Sequence, residues 1–286
     1  MRERVLAYCP ALLDIAESMV GQRLLAGEDG STRLLQPAIY CASVAGWLRA
    51  REVLAEDSPA AFAGHSLGEV TALAAAGAMS FEDGVRLVVE RGVLMERAAA
   101  AGRAGGMLAT LGADAEFVAG LAQRLGLTLA TDNAPGEMVL AGDLQALREA
   151  GAEVTGAGAK AVLLPIQGAF HSAAMESITG PFERAVRKIR PVRPQVPVFS
   201  GLTSRPFADI AAGLAASLTG PVRWRQTLAE LRAFGARRFI DTGPGHVLAG
   251  LVRRTLPEVT ALAVDEADGA WPEQWAHPSR EKAARS

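Results

Sequence analysis

The chain has 286 residues, half of them hydrophobic, with a formal net charge of −2 and two cysteines. That length suits one large domain, or a large and a small one, and the near-neutral charge excludes a general nucleic-acid or membrane-surface binder. Cys9 and Cys41 have neither metal-type spacing nor a disulfide framework, no apolar run reaches the ~20 residues that span a bilayer, and the first residues do not form a signal peptide; a soluble cytoplasmic protein with packed cysteines is expected.

Residues 1–22 read as mostly helix, from the spacing of Leu12, Leu13, Ile15, Met19 and Val20. A polar loop over 23–34 follows, and Pro37 is expected to open a helix over 38–51. A short apolar run, 60–63, reads as a buried strand, and an Ala/Leu-rich segment from Leu67 as a helix. Between them lies Gly64-His65-Ser66-Leu67-Gly68, a Gly-x-Ser-x-Gly elbow in the strand-to-helix context such a motif requires. A sharp reversal demands small neighbours two residues either side of the serine, so Gly64 and Gly68 are both expected to be needed. The hydroxyl then stands at a helix N-terminus, where free N–H groups favour negative charge and the Leu67 N–H is close by. The plainer alternative is a structural turn in a chain with 30 glycines.

Ser80-Phe81-Glu82-Asp83 has the pattern of a capping box, feeding a helix to about residue 100. On that helix Leu87, Val88, Leu94 and Met95 share a face, and Arg91 lies on it. A guanidinium there is costly unless paired. It pairs with a protein carboxylate, waits for an anionic ligand, or snorkels from the edge of the stripe.

The glycine-rich joint 101–106 marks a change of texture. Strands over 107–111, 127–131, 138–141 and 161–165, with helices over 115–125 and 144–154, give a βαββαβ order that resembles a small ferredoxin-like unit. The expected division is a large α/β subdomain from residues 1–102 and 166–286, with 103–165 inserted as a small one. Beyond it come the loop Gln167-Gly-Ala-Phe-His-Ser172, a helix over 173–189, a strand over 196–200, helical turns over 213–218 and a helix opened by Pro221-Val-Arg-Trp224. A strand over 238–241, the tight turn Thr242-Gly-Pro-Gly245, a helix over 246–254 and a strand over 260–264 complete the pattern. The tail from Asp265, with Trp271 and Trp275, reads as loosely ordered or packed on the surface.

Four histidines are available as a general base. His65 adjoins the serine and must point away from the hydroxyl, His277 is in the tail, and His246 begins a helix. His171 lies in a small-residue loop at the domain joint, which makes it the base by elimination, against the reading of a simply satisfied loop histidine. Gly243-Pro-Gly245 lacks both phosphate-binding glycine patterns, and the basic run Arg184, Arg187, Lys188, Arg190, Arg193 reads as a solvated face or a site for an acidic partner. No His/Cys/Asp cluster has metal spacing.

Five motifs in order, Gly64-His-Ser-Leu-Gly-Glu69, Arg91-Gly-Val-Leu-Met95, Gly168-Ala-Phe-His-Ser172, Gly220-Pro-Val-Arg-Trp224 and Gly243-Pro-Gly-His-Val-Leu248, resemble the malonyl-CoA:acyl-carrier-protein transacylases and the acyltransferase domains of polyketide synthases. The resemblance runs from about Cys9 to Val264. It implies an α/β-hydrolase-like large subdomain with a parallel sheet and an inserted ferredoxin-like one. It implies an acyl-accepting Ser66, a basic His171 oriented by a backbone carbonyl, an Arg91 that grips the free carboxylate of a malonyl group, and an oxyanion donor at Leu67. Asn133 and Gln36 match family positions near the pocket, and Ser217 stands where glutamine is common. Leu67 and Phe170 point to malonyl rather than methylmalonyl. Glu137 and Thr131 stand where the family usually has glutamine and asparagine.

The implied activity is malonyl transfer from coenzyme A, through an acyl-serine, to the phosphopantetheine thiol of an acyl carrier protein in fatty-acid or polyketide synthesis, with no permanently bound cofactor, nucleic acid or membrane. An editing acyl-thioester hydrolase and a catalytically weak carrier-docking scaffold are the alternatives. The scaffold is motivated by the start of the resemblance, which lies downstream of the family's first strand and its Phe-Pro-Gly-Gln-Gly segment. That segment gives the second oxyanion N–H, and one such donor carries roughly 10²–10³ in rate.

Overall fold

The computed structural model describes residues 1–26, 30–54, 58–102, 104–267, 271 and 275. Parts of the 23–34 loop, Arg103 of the glycine-rich joint, and His277 with most of the tail lie outside the described residues.

The expected first helix is two, α1 (Arg2–Tyr8) and α2 (Pro10–Val20), broken at Cys9 because Pro10 offers no N–H to continue the first ladder and is well placed to start the second. Helix α3 runs Thr32–Leu54, so Pro37 lies inside it rather than opening it. Its buried face, from Leu34 to Ala50, packs on α5. The elbow strand β1 is only Phe62–Ala63, followed by α4 (Gly68–Ala75) and α5 (Phe81–Ala101). The Ser80 cap forms as expected: its Oγ accepts from the Asp83 N–H at 3.0 Å.

The βαββαβ unit comprises β2 (Gly105–Leu111), α6 (Ala115–Leu125), β3 (Thr128–Ala134), β4 (Glu137–Asp143), α7 (Leu144–Gly156) and β5 (Lys160–Leu163). Its sheet is antiparallel with spatial order β3-β4-β2-β5, the ferredoxin-like order. Asp114 and Asp143 cap the two helices, which close over their own core of Val118, Leu121, Leu140, Leu147 and Val154.

A 3₁₀ turn (Ala173–Met175) leads into α8 (Glu176–Ile189), followed by β6 (Val198–Phe199), α9 (Ile210–Ala216), α10 (Trp224–Ala233), β7 (Arg238–Asp241), α11 (Val247–Thr255) and β8 (Thr260–Ala263). Strand β1 pairs in parallel with β6, and β7 in parallel with β8. Both pairs share apolar neighbours: Ala63 and Phe239 lie against one cluster with Trp224, Leu228 and Leu251, while Phe62 and Ile240 lie against another with Trp47 and Val264. The small sheet is tied back at its β3 edge. Val222 donates to Ala130 O and accepts from the Asp132 N–H, at 2.8 and 2.9 Å, and Arg225 holds the Asp132 carboxylate with both Nε and Nη2.

Trp275, expected on the surface, is 2% exposed, with the Arg238 guanidinium over its ring. Burial raises the thiol pKa of Cys9 to about 11 and of Cys41 to about 12, as befits packed rather than reactive cysteines. No helix among the described residues is long and apolar enough to cross a membrane.

Candidate active site

The elbow forms where the motif places it. Ser66 has φ of 53°, the left-handed region that a non-glycine residue occupies at a cost of about 1–3 kcal/mol. Only one of its flanking glycines is sterically required. A Cβ at Gly64 would sit 1.9 Å from the Gly68 carbonyl carbon, whereas a Cβ at Gly68 would meet nothing within 4 Å. The expectation that both must be small is thus corrected: the chain folds back so that Gly64 is the residue pressed against backbone, and Gly68 faces open space. The N–H groups of Gly68, Glu69 and Val70 are taken by the carbonyls of His65, Ser66 and Leu67, while the Leu67 N–H donates to no acceptor among the described residues.

His171 meets the serine from a loop that is itself left-handed, with φ of 58° at the histidine. The Ser66 hydroxyl donates to His171 Nε2 at 2.8 Å. The other ring nitrogen, Nδ1–H, donates to the Ser217 carbonyl at 2.8 Å and lies 3.1 Å from that of Gly220. These backbone acceptors fix one tautomer without a buried aspartate. Burial, with the charge of Arg91 next, lowers the His171 pKa to about 4, so the ring is neutral near pH 7 and its Nε2 lone pair is free to take the serine proton. Ser217 contributes its main-chain oxygen, while its own hydroxyl donates to Leu214 O at 2.9 Å.

Arg91 settles on the buried side of the alternatives left by its spacing. It is 4% exposed, deep in the face of α5 that meets α3. Its Nη1 donates to Gln36 Oε1 at 2.8 Å and its Nη2 to Ser66 Oγ at 3.1 Å. Gln36 is oriented in turn by its own amide, which donates to Thr32 Oγ1 at 3.0 Å and contacts Met95 Sδ. A guanidinium carries five N–H donors, so this one keeps donor capacity for an anion beside Ser66. Burial lowers its pKa to about 10, which leaves it charged at neutral pH.

The remaining expected residues divide. Leu67 and Phe170 are 8% and 7% exposed and flank the serine and the histidine in sequence. Asn133 does not reach Ser66. Its Oδ1 lies 2.8 Å from His65 Nε2 and its amide donates to Glu137, which is paired with Arg254. His65 is held away from the hydroxyl by that contact and by an edge contact on Trp224, and burial lowers its pKa. This His65–Asn133 link between the elbow and β3 is invisible in the spacing of either motif.

The Gly243-Pro-Gly245 turn is closed to phosphate. Its Gly243 and Gly245 N–H groups donate to the carboxylates of Asp241 and Asp265, and the Ala249 N–H to Asp241. In the basic run of α8, Arg187 is engaged with Glu183 and Asp209. No group of three or more His, Cys, Asp or Glu side chains among the described residues is placed to hold a metal.

The chain is similar to known acyltransferases in sequence and in structure. Residues 30–277 match the acyl transferase domain family. The chain is 42% identical over 235 residues to the polyketide biosynthesis protein ThaF of Burkholderia thailandensis, covering 80% of this chain but only 20% of that protein. It is 36% identical over 249 residues to a malonyl CoA-acyl carrier protein transacylase of Salmonella typhimurium, covering 84% of this chain and 80% of that one. Among solved structures, a malonyl-transacylase in complex with its type II polyketide synthase acyl-carrier protein superposes with a TM-score of 0.85 at 28% identity, over 98% of this chain and 94% of that one.

Proposed function

The chain belongs to the acyl transferase domain family, and from that membership and the geometry around Ser66 we propose that it moves a malonyl group from coenzyme A to the phosphopantetheine thiol of an acyl carrier protein. The observation that carries the substrate assignment is the buried guanidinium of Arg91, bonded to the nucleophile itself and with donors to spare. A monoacyl substrate such as acetyl has no use for a cation there. A substrate with a free carboxylate two bonds from its thioester carbonyl does.

In the first step His171 Nε2 takes the Ser66 proton as Oγ attacks the thioester carbonyl. The developing oxyanion lies at the elbow, where the Leu67 N–H is unengaged. The C–S bond breaks, the CoA thiolate takes the proton from His171, and malonyl remains on Ser66. In the second step the carrier thiol gives its proton to His171 and attacks the acyl-serine. The new thioester forms, and Ser66 recovers its proton. Throughout, the Ser217 and Gly220 carbonyls stabilise the imidazolium through Nδ1–H. Gln36 holds Arg91, Asn133 steadies the elbow through His65, and Leu67 and Phe170 supply the apolar walls that favour malonyl over methylmalonyl. The reaction calls on no resident cofactor. The division of labour follows the two expected subdomains, residues 1–102 and 166–286 carrying Ser66, Arg91 and His171, and 103–165 carrying Asn133.

The test is a partition. Incubation with malonyl-CoA and a holo-carrier protein yields malonyl-carrier protein as the main product under this reading. Free malonate at the same rate with and without the carrier makes the protein a hydrolase instead.

A further inference from the structure

One buried ionisable group stands beside this machinery without a part in it. Glu69, in the first turn of α4, is 1% exposed. Its Oε1 accepts from the Gly201 N–H at 2.7 Å, while its Oε2 is buried with no hydrogen-bond partner among the described residues. An ionised carboxylate with one orphaned oxygen in such a place is expensive unless an opposite charge is near. Arg91 is that charge. Among the described groups Glu69 is the one whose charge acts to stabilise the Arg91 cation, and Arg91 acts reciprocally on Glu69. The two are coupled through space, since the near donors of Arg91 go to Gln36 and Ser66.

Building on the reading of Arg91 as a carboxylate site, we propose that Glu69 is the resident counter-charge of Arg91 in the empty site and takes up a proton from solvent when the carboxylate of the acyl group reaches that guanidinium. Without an acyl group the site is then balanced, one buried cation against one buried anion. A malonyl carboxylate makes two anions share one cation in a water-poor site, the arrangement in which one carboxyl of a close pair becomes protonated. Protonation turns the carboxylate of Glu69 into a neutral carboxyl and restores the balance. An acetyl group brings no charge and requires no proton.

The surroundings of Glu69 favour this exchange near neutral pH. Burial raises its pKa to about 7, against the lowering effects of the Gly201 N–H, Arg91, and the Ser200 and Ser217 hydroxyls. From α5 it faces Arg91, from the segment after β6 the Gly201 N–H and Ser200, and from the end of α9 Ser217. The two nearby imidazoles, His65 and His171, are both held toward the neutral form by burial.

The experiment is calorimetric binding of malonyl-CoA and of acetyl-CoA to the Ser66→Ala variant, which cannot turn over, in buffers of differing ionisation heat. The expected result at about pH 8 is an uptake approaching one proton per malonyl-CoA beyond that for acetyl-CoA, with malonyl affinity falling up to about tenfold per pH unit above neutrality. In Ser66→Ala with Glu69→Gln, which keeps an acceptor for the Gly201 N–H, the extra uptake disappears and malonyl-CoA binds more tightly at about pH 8. Tighter binding of malonyl-CoA than acetyl-CoA with no difference in proton uptake overturns the proposal while leaving the Arg91 assignment intact. Equal affinity for the two thioesters overturns the Arg91 assignment and this inference with it. If the double variant fails to fold, the proton count in the single variant decides.

Discussion

Replacing Arg91 with Met removes the buried cation while keeping a long apolar side chain in the face of α5. Two bonds are at stake in the loaded site. One is the contact to Ser66 Oγ at 3.1 Å, which every acyl donor experiences. The other, on the proposed reading, is the grip on the free carboxylate, which malonyl-CoA alone experiences. A hydrogen bond to a charged group contributes about 1.5–3 kcal/mol, and a bidentate one more. Removing the cation also leaves a substrate carboxylate uncompensated in a buried pocket. A differential of about 3 kcal/mol, at 1.36 kcal/mol per factor of ten, corresponds to roughly 10²-fold. The assay is the rate of Ser66 acylation followed by intact mass, with malonyl-CoA and acetyl-CoA in parallel. Malonylation is expected to fall by about 10²-fold more than acetylation in Arg91→Met. An equal loss for both donors refutes the carboxylate role and assigns Arg91 to the serine alone.

Replacing His171 with Asn should slow acylation by roughly 10²–10⁴-fold, measured by the same mass assay. Because the His171 pKa is lowered to about 4, the wild-type acylation rate at fixed malonyl-CoA should not show a limb from this group between pH 8 and 5, and should fall below that as the ring takes a proton and loses its lone pair. Replacing Ser217 with Ala should change kcat/KM by less than about threefold, since the carbonyl that holds Nδ1–H remains and the hydroxyl donates to Leu214 O. The two elbow glycines should separate on thermal melting. Gly64→Ala should destabilise by more than about 3 kcal/mol, because its Cβ overlaps backbone, while Gly68→Ala should lie within about 1 kcal/mol of wild type.

The elbow was legible because a serine between glycines, after a strand and before a helix, leaves the chain little choice of conformation. Arg91 was legible as a cation on an apolar stripe, although spacing alone left its partner open. The βαββαβ unit was readable in its element order, because each of its helices carries an Asp cap and the short apolar runs between them suit strands, and the sheet forms in the ferredoxin-like order. The misses have local causes. Pro37 in the sixth position of α3 followed a residue pattern that suits a first turn, yet the helix starts at Thr32. The roles of Asn133 and Ser217 depend on contacts between segments 68 and 46 residues apart, which no local period encodes. Glu69 ends the Gly64-His-Ser-Leu-Gly-Glu69 motif, but its burial against Gly201, 132 residues away, is a property of the fold.

The central claim is covalent: Ser66 accepts the acyl group under the influence of His171 and Arg91. Mixing the protein with malonyl-CoA and weighing it intact tests this without any partner. The account predicts a gain of one malonyl group per chain that vanishes in Ser66→Ala, and either no gain in the wild type or an adduct that persists in Ser66→Ala would contradict it.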